Sequence, residues 1–249
     1  MSSRNHKHST STGSARFATT HWSVVSAAGK PESTKYLQAL ESLCRTYWFP
    51  LYAYLRRQGY DCHQAEDYTQ AFFAHLLEKR GLRLADPRQG KFRSFLLAAL
   101  KNFVANELDK IRAQKRGGGE KIISLDVKDA EQQYGLEPIH QLTPEKIFER
   151  SWAMTVLTRT MAALQAEFVS KNKQKLFENL KVYLTIKKSS ISYQDAATQL
   201  NMSEAAVKVA VHRLRKRYRE LLRNEIASTV TNEEQIAEEI RELFAALSA

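Results

Sequence analysis

Residues 191–221 read ISYQDAATQLNMSEAAVKVAVHRLRKRYREL. Ser192 and Asp195 stand three apart, the spacing of a capping box, and open a short helix that runs to Leu200. Asn201-Met202 makes a turn, and Ser203 caps a longer helix to about Asn224. Ala196, Ala197 and Leu200 are small or apolar, as a close helix crossing requires. Val207, Val211, Leu214 and Tyr218 fall at i, i+4, i+7 and i+11, one buried stripe. The opposite side carries Lys208, His212, Arg213, Arg215, Lys216, Arg217 and Arg219. This is helix-turn-helix geometry with a cationic second helix. Its first half suits a major groove, and its later cations suit phosphates. The bland alternative is a solvated basic helix on a structural bundle.

The pattern remains helical toward the amino terminus. Leu37, Leu40, Leu43, Cys44, Tyr47 and Trp48 recur at helical spacing; Pro50 kinks or interrupts this helix, and Gly59 ends it. A second helix spans His63 to Lys79 and a third Lys91 to Gln114. Helices resume at Thr143-Pro144-Glu145, with one to about Val169 and another from Lys171 to Ile186. Thr231 and Glu234 cap a last amphipathic helix. No alternating run is long enough for a strand, so the expected class is all-α. Residues 1–16 are polar and expected to be disordered, and His6 and His8 fall in that flexible tail. Gly117-Gly118-Gly119 breaks the third helix and starts a polar, acidic stretch to Thr143, read as a linker. The expected division is therefore a tail (1–16), a helical domain (17–116), a linker (117–143), a helix-turn-helix domain (144–225) and a terminal helix (226–249).

Composition narrows the function. The 249 residues carry 38 Lys and Arg against 27 Asp and Glu, a net charge of +11, which points to a polyanionic partner. No apolar run approaches a membrane span, and the first sixteen residues lack the apolar core of a signal peptide. Two cysteines, Cys44 and Cys62, make neither a disulfide framework nor a four-ligand zinc site, and the expected setting is a reducing cytoplasm. There is no Walker loop, dinucleotide fingerprint or nucleophile elbow, so no enzyme and no cofactor is expected.

Two further stretches bear on partners. In HQAEDYTQAFFAHLLEK, residues 63–79, Tyr68, Phe72 and Leu76 form a core stripe. Asp67, Gln70, Phe73 and Leu77 form a second stripe, either a protein-binding face or more core. Between Glu78 and Gly118 there are eleven Lys and Arg against four acids. Arg88, Lys91, Phe92, Arg93 and Phe95 mix cations with aromatic rings, which suits single-stranded DNA, where bases stack and phosphates pair. Lys101, Asn102, Asn106, Lys110 and Arg112 line a polar face of the third helix.

Three segments in order resemble one family. AEDYTQAFFAHLLEK (65–79), FRSFLLAALKNFVANELDKIRAQKR (92–116) and the stretch at 191–221 resemble bacterial RNA polymerase sigma factors of the extracytoplasmic-function type, over roughly residues 17–225. The resemblance implies that Asp67, Gln70, Phe73 and Leu77 face the clamp coiled coil of the polymerase largest subunit. Ala71 stands where the family often has Glu. It implies minus-ten contacts from Arg88, Lys91, Phe92, Arg93, Lys101, Asn102, Asn106, Lys110 and Arg112. It implies minus-thirty-five contacts from Ser203, Lys208, Val209, His212, Arg213, Arg215 and Lys216, with duplex and single-stranded promoter DNA as partners. An anti-sigma factor or other regulator would be a separate chain. The acidic linker would lie near the RNA path. A short added helix is expected over 17–29. The terminal helix, with Ile236, Ile240, Leu243, Phe244 and Leu247 on one face and a net charge of −4, is expected to pack on the second domain. There its acids either shield the basic recognition helix or merely extend the structure. A stand-alone helix-turn-helix regulator is the alternative function.

Overall fold

The computed structural model describes residues 36–78, 82, 91–113, 127–135, 142–184, 192–227, 230 and 233–248. Among them are nine α-helices and no strand. The tail at 1–16, the added helix at 17–29, Arg88, the glycines at 117–119 and Thr231 lie outside the described residues. The side chains of Leu77 and Arg112 do too.

Helix α1 spans Tyr36–Arg57 and runs through Pro50 without interruption. It ends as the sequence requires at Gly59, whose φ of 98° only glycine adopts freely. Tyr60 N–H donates to the Leu55 carbonyl and Gly59 N–H to the Arg56 carbonyl, which closes a Schellman motif. Helix α2, Cys62–Glu78, starts on a reciprocal cap. Gln64 N–H donates to Asp61 Oδ1 at 2.8 Å, and Asp61 N–H donates to Gln64 Oε1 at 3.1 Å. Helix α3 is Phe92–Ala113.

Helix α4, Val127–Gly135, lies inside the stretch expected to be an irregular linker. It is tied to α1. Arg56 holds Glu131 with two hydrogen bonds, at 2.7 and 3.1 Å, and Tyr52 Oη donates to the same carboxylate. Ala130 and Tyr134 enter the core beside it, and Arg57 Nε donates to the Leu142 carbonyl at 2.7 Å. Glu131 of this segment thus serves intramolecular pairing.

Burial tends to raise the Glu131 carboxyl, but the Arg56 and Tyr52 hydrogen bonds outweigh it and hold the group below its ordinary value of 4.5. A carboxyl depressed in the fold contributes stability that is complete above its unfolded value and is lost as pH falls through the folded one. Glu131→Gln should therefore cost stability at neutral pH, and the gap from wild type should close below about pH 4.5. Urea midpoints measured from pH 7 to pH 3 check this. A gap that stays constant with pH would refute the pairing.

Helix α5, Pro144–Ser170, begins at Thr143, whose Oγ1 accepts from Lys146 N–H. Helix α6 is Gln174–Leu180, followed by a 3-10 turn at Lys181–Leu184. Helix α7, Tyr193–Leu200, carries the expected Ser192–Asp195 capping box. It ends at Asn201 with φ 52°, where Met202 N–H donates to the Ala197 carbonyl. Helix α8 is Glu204–Ala227 and α9 is Glu233–Ser248.

Two hydrophobic cores result, and they do not divide at 117–143. Helix α5 places Ile147, Phe148, Trp152 and Val156 in the first core and Leu164 in the second. Helix α8 does the reverse, with Val207, Val211 and Leu214 in the second core and Leu222 and Ile226 in the first. Each of these helices is a continuous rod through both. The run from Tyr47 to Leu55 is buried on every side of α1, because α2 and α3 cover part of it and α5 covers the rest.

Candidate nucleic-acid interface

The small second core positions α8. Ala196 and Ala197 of α7 let the helices cross closely, and Val207, Val211 and Leu214 fill the seam with Leu164, Phe177 and Leu180. The predicted stripe is thus buried, and Tyr218 packs at its edge between both cores. Ser203 Oγ accepts from Ala206 N–H at 3.2 Å, so this residue is the helix cap.

Lys208, Val209, His212, Arg213, Arg215 and Lys216 are all exposed on α8. They are not equivalent. Lys208 pairs with Glu204 at 2.7 Å and lies over the Tyr193 ring. Arg215 donates twice to the Tyr183 carbonyl, at 3.0 and 3.1 Å, which ties α8 to the 3-10 turn. Arg217 is held by Glu167 at 2.5 Å and Glu220 at 2.9 Å. These three cations brace the domain. Among the described residues, His212, Arg213, Lys216 and Arg219 are exposed and lack an acidic partner, so Arg213, Lys216 and Arg219 leave a compact cationic patch with His212 among them. Val209, 49% exposed, stands beside them as an apolar contact.

The third-helix residues are placed very differently. Phe92 is 1% exposed and meets Tyr47 edge-on at 5.5 Å, so it belongs to the core instead of an open stacking platform. Arg93 was expected on the surface, yet its side chain is 4% exposed. Its guanidinium donates to Glu149 at 2.7 Å and to Glu239 and Glu242, and it lies 4.3 Å over the Trp152 ring. Lys91 is half-buried and engages Glu242, with Glu239 at 3.7 Å and Glu238 at 4.0 Å. Lys101 pairs with Glu145 at 2.8 Å and Lys110 with Glu107 at 2.6 Å. Asn102 and Asn106 are exposed.

The cluster around Arg93 carries its own electrostatic signature. Burial lowers the affinity of the Arg93 guanidinium for its proton, but Glu239, Glu149 and Glu242 outweigh it and hold it firmly charged. Burial pushes the Glu149 carboxyl above its ordinary value, against the pull of Arg93. Burial acts the same way on Glu242, but Lys91 and Arg93 outweigh it and hold that carboxyl down. Glu149 and Trp152 were not singled out in the sequence, and Glu239 was read only as one of the acids of the terminal helix. The available signal was Glu238, Glu239 and Glu242 beside the apolar stripe of α9.

On α2, only Asp67 of the proposed clamp face is shown exposed. Gln70 is buried and donates to Glu66 Oε1 at 2.8 Å. Phe73 is 4% exposed and borders a small apolar cavity with Leu40, Leu43, Cys44 and Leu96. The reason is geometric: Phe73 follows Phe72 by about 100° around the helix, and α1 fills the space on that side. Burial pushes the neighbouring Cys44 thiol up to about 11, so it acts as an apolar contact.

The acids of α9 do not cover the basic face of α8. The helix buries Ile236 and Leu243 against α5 and the far end of α8, where Glu233 pairs with Arg223. Its carboxylates instead meet Arg93 of α3 and Lys91 just before that helix. Among the described residues, no helix is long and apolar enough to cross a membrane. Comparison with models of protein families, with curated proteins and with solved structures found no match.

Proposed function

We propose that the chain is a transcription initiation factor that binds core RNA polymerase, directs it to promoters and helps open the minus-ten region. The observation that carries this reading is the capped α7–α8 pair, which presents His212, Arg213, Lys216 and Arg219 outward without acidic partners among the described residues. The order of the three sequence segments supports the polymerase assignment. The chemistry involves no covalent step. Helix α8 meets duplex DNA and sets register, while residues of α2 meet polymerase and residues of α3 take up bases that leave the stack.

Co-elution with bacterial core RNA polymerase tests the reading. Wild type is expected to bind stoichiometrically and Asp67→Arg to bind at least tenfold more weakly, an outcome that buried residues such as Phe73 cannot report cleanly. The burial of Gln70, Phe73, Phe92 and Arg93 in this conformation favours one second reading, a stand-alone helix-turn-helix regulator that uses α8 alone. Absence of polymerase binding together with tight binding to a palindromic duplex would establish that alternative.

Either reading makes the same demand of α8. Arg213→Ala/Lys216→Ala should weaken duplex binding and reduce the slope of log affinity against log salt by about 1 to 2. Arg217→Ala should act through stability instead, since Glu167 and Glu220 already occupy it. Fluorescence anisotropy with a labelled duplex across a salt series separates the two. An unchanged slope in the double variant would remove α8 as the DNA-binding element.

A further inference from the structure

The nucleic-acid candidates on α3 and α8 are in opposite states. The α8 patch is open. The pair at the start of α3, Lys91 just before the helix and Arg93 in its first turn, is covered by carboxylates from α9 and α5. The cover is specific in its chemistry. Glu149, Glu239 and Glu242 each place an oxygen on a different nitrogen of one guanidinium. Glu238, Glu239 and Glu242 all gather around the Lys91 ammonium. That is the arrangement of anionic oxygens which phosphates of a DNA strand would present to the same two cations.

The cover is also held by more than charge. Ile236 and Leu243 on the inner face of α9 are fully buried against the first core, and Arg150 donates to the Leu247 carbonyl at 3.0 Å. On the outer side, Glu238 and Glu242 have side chains 52% and 40% exposed. The helix therefore has an apolar anchor and a solvent-facing acidic edge that can be altered without touching the anchor.

We infer that α9 is an intramolecular mimic of the DNA strand, which occupies Lys91 and Arg93 and keeps the single-strand site closed while the duplex site on α8 stays available. This rests on the proposed function of α3 and α8. It sets an order: the closed chain engages duplex DNA first, and α9 must leave α3 before unpaired bases reach it. A closed form that predominates lowers the apparent affinity for single strands by the fraction of molecules that are open.

The test uses the full chain and the variant Glu238→Gln/Glu242→Gln, which leaves the buried Glu239–Arg93 pair and the apolar anchor intact. Three measurements are made: affinity for a fluorescent single-stranded oligodeoxynucleotide, affinity for a duplex, and acylation of Lys91 by an amine-reactive ester, read by mass spectrometry. Circular dichroism confirms the fold. The expected result is faster Lys91 acylation, single-strand binding tighter on the order of tenfold, and unchanged duplex affinity. Adding Lys91→Ala should abolish the single-strand gain. Faster acylation without that gain would overturn the mimic and leave duplex binding by α8 standing. Unchanged acylation would overturn it too, since the carboxylates would not then control access. A chain that binds neither single strands nor duplex, in either form, would remove the proposed function itself and the mimic with it.

Discussion

Arg93→Ala is expected to lower the stability of the chain by about 3–5 kcal/mol, the usual result when one partner leaves a buried charge cluster. The side chain is almost wholly enclosed and serves Glu149, Glu239 and Glu242 at once. Without it, Glu239 stays buried with its nearest cation gone, and Lys91 at 3.7 Å is the remaining one. The three carboxylates would then repel one another across the space the guanidinium held. At about 2–4 °C per kcal/mol for a chain of this size, melting should fall by roughly 10 °C. Arg93→Ala/Glu239→Leu should recover part of the loss, because it removes the stranded charge along with its partner. Thermal and urea unfolding measure both. A loss under about 1 kcal/mol, the range of exposed ion pairs, would mean that the cluster is solvated and α9 is not docked on it.

Trp152→Ala should have an effect of similar size by a different route. The ring is fully buried in the first core, where α5 meets α1, and its removal leaves a large cavity at a cost of about 3–5 kcal/mol. It also removes the aromatic face beneath the Arg93 guanidinium. The two substitutions should not add: an interaction energy of about 0.5–3 kcal/mol is expected for residues in contact. The urea midpoint should shift with little change in slope. Fluorescence and far-ultraviolet dichroism should report one midpoint, because α5 and α8 carry each core's unfolding into the other. Two separated transitions would show that the rods break between the cores.

What could be read from the sequence was local. The Ser192–Asp195 box, the Thr143-Pro144 start, the Gly59 stop and the Val207–Val211–Leu214 stripe are signals contained within one or two helical turns, and each has its expected counterpart in the structure. Asp61–Gln64 was legible in the same way and escaped notice. The all-helical class followed from such signals. What could not be read was which faces other helices would cover. Arg93 meets Glu239 across 146 residues, and Arg56 meets Glu131 across 75. Periodicity places a side chain on a face; it does not say what lies opposite. That is why Arg93 read as a surface candidate and is enclosed, why Phe73 and Phe92 stood open between core and contact face, and why a helix stood inside the expected linker.

One stretch did hold more than local information. Trp48-Phe49-Pro50-Leu51-Tyr52-Ala53-Tyr54-Leu55 is apolar around the whole circumference of α1, so no two-helix arrangement could cover it. In this structure α5 covers the side of α1 that α2 and α3 leave free. Any partner that draws α5 away from α1 must offer a comparable apolar surface in exchange. Separating α5 from α1 is an exchange of hydrophobic neighbours, and a partner that brought only charge to that contact would leave it in place.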